Sequence, residues 1–363
     1  MSFKSLQIGK YEIKNPIVQG GMGVGISWDQ LAGTVSKEGG LGVVSSVGTG
    51  YFDNKKYSKK LVSDRPLDAI NFYSPEGFKA IHDSAREICG DKPLAANILY
   101  ASNDYGRVVK DACEAGCDII ITGSGLPTNM PEFTEGFPDV ALVPIVSSAK
   151  ALKIICKRWQ KRYNRLPDAV VVEGPKSGGH QGFTYQQCKL DENQLENIVG
   201  TVVEEAKNWG DIPVIAAGGV WNKDDIELMI SLGASGVQMG TRFIGTFECD
   251  AHENLKNLLI NAKKEDIQLM ASPVGYPAQG VVTNLTHLIE KREGPAIKCI
   301  SNCVAPCNRG VEAKEVGFCI ADRLSDAYEG NLETGLFFSG TNGYKLDKII
   351  SVKELMTKLI QGE

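Results

Sequence analysis

One of the chain's four histidines stands inside a glycine-rich run, Glu173-Gly174-Pro175-Lys176-Ser177-Gly178-Gly179-His180-Gln181-Gly182. An imidazole titrates near neutral pH, and the glycines around it leave a substrate room to approach. Proton transfer or substrate contact is the chemistry this suits, with a turn-stabilising role as the alternative. His82, His252 and His287 have no such surroundings and read as surface or packing residues. Two further runs carry binding chemistry, Ala217-Gly218-Gly219-Val220 and Gln238-Met239-Gly240-Thr241-Arg242-Phe243. Each ends an apolar stretch, where bare backbone lets N–H groups reach phosphate oxygens that a Cβ would keep away. The simpler reading is two ordinary strand-to-helix turns. Their pairing at the two last strands favours an anion site.

A third group is the array Cys299, Cys303, Cys307 and, further on, Cys319. Three or four thiolates could hold zinc or an iron–sulfur cluster, but the spacing is neither CxxC nor a ferredoxin run. Packing or redox-sensitive thiols is the reading the spacing favours, and no metal is assigned. Cys89, Cys113, Cys117, Cys156, Cys188 and Cys249 are scattered and read as core fillers. Other signatures fail. No GxxxxGK[ST] run occurs, Gly20–Gly25 does not satisfy GxGxxG, and there is no HExxH.

The elements that position these groups follow from the apolar pattern. Short runs rich in Val and Ile, without strict alternation, occur at residues 15–19, 41–45, 94–99, 118–122, 141–146, 169–173, 212–216 and 235–239. Strands buried on both faces of a parallel sheet read this way. Helix-period segments alternate with them at 28–37, 75–89, 105–115, 148–162, 192–209 and 223–232. Eight strands with crossover helices predict an α/β fold, a (β/α)8 TIM barrel. From 248 to 324 the pattern turns helical, interrupted by prolines and without a convincing buried strand; it predicts a smaller helical cap inserted after the eighth strand. Residues 1–247 and 325–363 then form the barrel. Ser351-Val352-Lys353-Glu354 reads as a capping box opening the last barrel helix. The connection from Gly50 to Lys92 is long, so it should carry its own helix and wall the site.

Composition narrows the function classes. Of 363 residues, 42% are hydrophobic and 23% charged, which suits a globular chain with a large core. A net charge of -5 disfavours a nucleic-acid partner. The first residues lack the apolar stretch of a secretory signal, and no run approaches the ~20 apolar residues of a membrane span. A cytoplasmic location is therefore expected, with no membrane partner. The run Lys55, Lys56, Lys59 and Lys60, near Tyr51 and Tyr57, could attract an acidic partner, though a solvated loop is the simpler reading. The 40 glycines exceed the usual share of about 7% and gather after predicted strands.

Taken together, Gln19-Gly20-Gly21-Met22-Gly23, Glu173 with Ser177-Gly178-Gly179-His180, Ala217-Gly218-Gly219-Val220 and Gln238-Met239-Gly240-Thr241-Arg242-Phe243 resemble the 2-nitropropane dioxygenase / nitronate monooxygenase family, which includes flavin-dependent enoyl-[acyl carrier protein] reductases. The resemblance spans roughly residues 10 to 290. It implies an FMN-binding barrel in which Gly20, Gly21 and Met22 run along the flavin ring system. Asn97, Glu173 and Gly178 would also lie at the flavin. Gly218, Gly219, Gln238, Met239, Gly240 and Thr241 would hold the phosphate end, and His180 matches the active-site histidine. The expected activity is FMN-dependent oxidation of alkyl nitronates with oxygen. The alternative on the same scaffold is enoyl-thioester reduction, with NAD(P)H as electron donor and an acyl carrier protein as partner. Glu173, where nitronate-oxidising members resemble Gln, leans to the reductase side, as does Ser272-Pro273-Val274-Gly275-Tyr276-Pro277. A flavin- or phosphate-binding barrel without turnover is the third reading, which His180 argues against. A homodimer is a further expectation.

Overall fold

The computed structural model describes residues 3–54, 73–291, 293–295, 297, 303–305, 307 and 317–362. A short hairpin, β1 (Leu6–Ile8) and β2 (Tyr11–Ile13), opens the chain. The parallel strands then follow: β3 (Ile17–Gln19), β4 (Gly42–Ser45), β5 (Leu94–Leu99), β6 (Ile119–Gly123), β7 (Ala141–Val146), β8 (Val170–Glu173), β10 (Val214–Ala217) and β11 (Gly236–Met239). They pair in the order β3-β11-β10-β8-β7-β6-β5-β4. The sheet curls until a parallel bridge between Val18 and Leu41 joins its two edges. Gln19, fully buried, adds a side-chain staple at that seam: its Oε1 accepts the Val43 N–H at 3.1 Å. The expected (β/α)8 barrel is what forms, and all eight strands lie within about two residues of the apolar runs that predict them.

Two apolar layers hold it together. Inside the barrel, Val18, Val43, Ala95, Ile121, Val143, Val171 and Ile215 pack on one another, and Leu6, Ile8 and Ile13 of the hairpin plug the N-terminal end. Outside, the alternate residues of the same strands pack on the helices. Both faces of each strand are therefore dry, which is why the sequence pattern shows no alternation.

Helix ends follow local chemistry. Helix Pro75–Cys89 starts at Ser74, whose Oγ accepts the Gly77 N–H at 3.0 Å, with proline at its first position. Helix Tyr105–Ala115 stops at the left-handed Gly116. Helix Leu195–Lys207 is shorter than expected because a 3-10 turn over Asp191–Asn193 and an extended Gln194 precede it. The last helix, Val352–Gln361, is capped by Ser351, which accepts the Glu354 N–H at 3.0 Å. It packs between helices Asp29–Lys37 and Lys223–Ser231, where it completes the ring.

Helix Asp29–Lys37 has no cap of its own, since Trp28 occupies that position. Asp250, beyond β11, supplies one across the fold: its carboxylate accepts the N–H groups of Trp28 (2.8 Å), Gln30 (3.2 Å) and Leu31 (3.2 Å). Asp250→Ala should cost about 1–2 kcal/mol of stability, read from urea unfolding at neutral pH. An unchanged midpoint would contradict that role.

The segment after β11 differs from the expectation in one respect. Besides helices Glu253–Asn261, Asn284–Glu290 and Ile320–Tyr328, it carries two strands, β12 (Ile267–Met270) and β13 (Ala278–Val281). They form an antiparallel sheet with β9 (Gly179–His180) of the barrel loop. These strands have only four residues each, and β13 contains Gln279 and Gly280, so no apolar run betrays them. Among the described residues, no helix is long and apolar enough to cross a membrane.

Candidate active site

Parallel register brings the strand ends level at the C-terminal mouth. Glu173 of β8 pairs with Ala217 of β10, Ala217 with Gln238 of β11, and Gln238 with Val18 of β3. Across the mouth, Asn97 of β5 pairs with Ser45 of β4.

The first glycine loop lies across this mouth. Gly20 N–H donates to the Met239 carbonyl at 2.9 Å, and Met22 N–H donates to Ser27 Oγ at 2.6 Å. A Cβ on Gly21 would stand 2.2 Å from Asn97 Cβ, so only glycine lets the loop settle on that side chain. Met22 Sδ is 3.2 Å from where a Cβ on Gly240 would sit. Gly20, Gly21, Met22, Asn97, Gln238, Met239 and Gly240 are therefore brought together.

Beside them, Gly218 (φ +100°) and Gly219 (φ +94°) turn the chain after β10 in a conformation that side chains rarely adopt. Thr241 opens the short helix Thr241–Ile244 after β11. Its Oγ1 accepts the Gly340 N–H at 2.8 Å. Gly178 approaches the same segment: a Cβ there would meet Gly340 N at 2.8 Å. Arg242, buried behind this region, stacks on the Trp221 ring at 4.8 Å. The result is a cradle of bare backbone of the kind that accepts a phosphate.

His180 sits in β9, paired with Ala278 of β13. Its Nε2 lies 2.7 Å from Ser272 Oγ, and the Phe338 ring stands edge-on with centroids 5.4 Å apart. Among the described residues, Nδ1 has no hydrogen bond and faces its surroundings as a free ring nitrogen. Burial pushes the imidazole down to about 4, so the ring is neutral across the ordinary pH range. Glu173 behaves oppositely: burial pushes its carboxyl up to about 7, with the Ser177 hydroxyl working against that shift.

A carboxyl with a raised folded-state pKa binds its proton more tightly in the folded chain, so it lends stability at low pH that is lost as pH rises. For Glu173 the window runs from about 4.5 to about 7. Glu173→Gln should therefore gain stability relative to the parent as pH climbs through that range. Thermal melts at pH 4.5, 6 and 8 check this, and a pH-independent difference would contradict it.

A small apolar cleft, partly open to solvent, is lined by Gly23 and Val24, by Leu324 and Tyr328 of helix Ile320–Tyr328, and by Phe338. His180 is therefore one ring away from an apolar space.

Four residues join the site without a signal in the sequence: Ser272 as the partner of His180, Phe338, Gly340 and Asn342. The run over residues 272–277 by itself names no partner for His180. The turn Ser339-Gly340-Thr341-Asn342-Gly343 carried only a loop signal.

Cys303 lies against the loop after β5, its carbonyl accepting the Asn103 N–H at 3.3 Å. No three His, Cys, Asp or Glu side chains converge as metal ligands among the described residues, and Cys299 lies outside them. Lys55, Lys56, Tyr57, Lys59 and Lys60 also lie outside them. The six scattered cysteines are buried.

The nitronate monooxygenase family model matches residues 4–362. The chain belongs to that family. Among curated relatives of the nitronate monooxygenase family, a probable nitronate monooxygenase of Staphylococcus saprophyticus is 26% identical over 300 residues, covering 79% of this chain and 81% of the relative. One from Staphylococcus aureus is 27% identical over 294 residues, covering 78% and 79%. Among solved structures, FabK from Thermotoga maritima superposes with a TM-score of 0.73 at 26% identity, over 96% of this chain and 93% of the other. Nitroalkane oxidase from Streptomyces ansochromogenes superposes with a TM-score of 0.66 at 19% identity, over 96% and 95%, a likeness of fold.

Proposed function

We propose that this chain is an FMN-dependent oxidoreductase that oxidises alkyl nitronates with oxygen. The observation that carries the reading is a histidine held at Nε2 by Ser272 in the loop after β8, at the same end of the barrel as the glycine turns after β3, β10 and β11. The residues fit FMN because Gly218, Gly219 and Gly240 leave the backbone bare at the strand ends, where Cβ atoms would press on Gly174, Lys176 and Met22, and Gly21 packs directly against Asn97. Bound there, FMN would supply electron and hydride acceptance that no side chain offers.

The chain's own groups then have defined tasks. A nitronate is already the conjugate base of its nitroalkane, so its binding calls for hydrogen-bond donors. A neutral His180 can carry its proton at Nδ1 toward the nitro oxygens while Ser272 fixes the ring through Nε2. Glu173, neutral below about 7, would not repel the anion. The apolar cleft toward Tyr328 takes the alkyl part. In this reading residues 248–324 form the substrate-binding cap and residues 1–247 with 325–363 the barrel. Nitronate-dependent oxygen uptake should show an inflection near pH 7 that Glu173→Gln removes, and none near 6.5 from His180. An inflection that persists in Glu173→Gln would contradict the assignment.

A second reading has its own support. Glu173 and the run over residues 272–277 favour NAD(P)H-dependent enoyl-thioester reduction, with an acyl carrier protein as the carrier of the substrate. NAD(P)H consumption on adding an enoyl thioester, without response to a nitronate, would establish it in place of the first.

A further inference from the structure

The phosphate cradle has a side that none of the glycine runs supplies. It comes from residues 339–343, which follow the cap in the chain. Gly340 N–H donates to Thr241 Oγ1 at 2.8 Å, Thr341 N–H to the Lys176 carbonyl at 3.1 Å, and Asn342 Nδ2 to the Gly219 carbonyl at 2.6 Å. One turn thus ties together the loops after β8, β10 and β11. The packing leaves no slack: a Cβ on Gly340 would stand 2.8 Å from the Lys176 carbonyl oxygen.

The consequence falls on the anion-facing groups. Gly218 and Gly219, both at positive φ, have the freedom to swing their peptide planes, which would point the N–H groups away from a ligand. A short hydrogen bond on the Gly219 carbonyl pins the peptide that joins Gly219 to Val220, because a planar peptide fixes the Val220 N–H along with the Gly219 C=O, and it anchors the C-terminal side of the turn. In the same way, Thr241 Oγ1 receives one N–H from Gly340 and keeps its own proton for another acceptor. Order in the cradle before the ligand arrives lowers the entropy lost on binding.

We infer that Asn342 is a positioning residue for the cofactor's phosphate, acting through the Gly218–Gly219 turn. The inference rests on the FMN reading above and adds a residue from outside the glycine runs. It separates phosphate from ring binding, so riboflavin, which lacks the phosphate, is the control ligand. Apoprotein is titrated with FMN and with riboflavin, followed by flavin fluorescence. Asn342→Ala should raise the FMN Kd about 10-fold and leave riboflavin within about 2-fold. Asn342→Asp keeps the shape, loses the donor and adds a negative charge beside the cradle. It should weaken FMN further, most at low salt, again sparing riboflavin. Unchanged FMN affinity in both variants overturns the inference, and so does an equal loss of both ligands, which marks a role in folding alone. Failure of the parent protein to bind FMN at all overturns the cofactor reading instead.

Discussion

His180→Ala should retain FMN yet lower turnover by about 10²-fold or more. General acid–base and hydrogen-bonding groups at a reacting centre typically contribute on that order. His180 is held by Ser272, Phe338 and the β13 backbone rather than by the glycine turns after β10 and β11, so cofactor retention should not suffer. The measurement is steady-state oxygen uptake with a nitronate, normalised to bound flavin. His180→Asn should fall nearly as far, because an amide offers a donor but not the same reach. Turnover within about 3-fold of the parent in both variants would remove the histidine from the mechanism.

Gly218→Ala should strip the protein of FMN. At φ +100° an alanine carries backbone strain of about 1–3 kcal/mol, and its Cβ would stand 2.7 Å from the Gly174 carbonyl oxygen. That oxygen belongs to the main chain of the next loop and cannot rotate away, so the turn itself must shift. Backbone donors displaced by even 1 Å no longer match a phosphate, and FMN affinity should drop at least about 100-fold. The barrel should survive, because the member of its interior layer that adjoins this turn is Ala217, at the very end of β10. Flavin content after purification and titration of the apoprotein check this. Full flavin occupancy in Gly218→Ala would contradict a cradle at this place.

How much of this was legible in the sequence differs by element. The barrel strands were legible because burial on both faces writes continuous Val and Ile runs, as in Val170-Val171-Val172. The glycines after β10 were legible because φ near +100° at Gly218 and Gly219 leaves glycine as the ready choice. Contacts made across the chain were not. β9 has two residues, and its partner β13 lies about a hundred residues downstream, so no local period announces the pair. Ser272 and Asn342 are ordinary polar residues until the fold sets them against His180 and Gly219. Asp250 is equally silent, since the helix it caps lies more than two hundred residues earlier.

The central claim is a flavin site that accepts electrons from a nitronate. The most direct test mixes purified protein with an alkyl nitronate without oxygen, in parallel with NAD(P)H, and follows the visible flavin band. The account predicts bleaching by the nitronate and not by NAD(P)H. Bleaching by NAD(P)H alone, or a colourless protein that takes up no FMN, would contradict it.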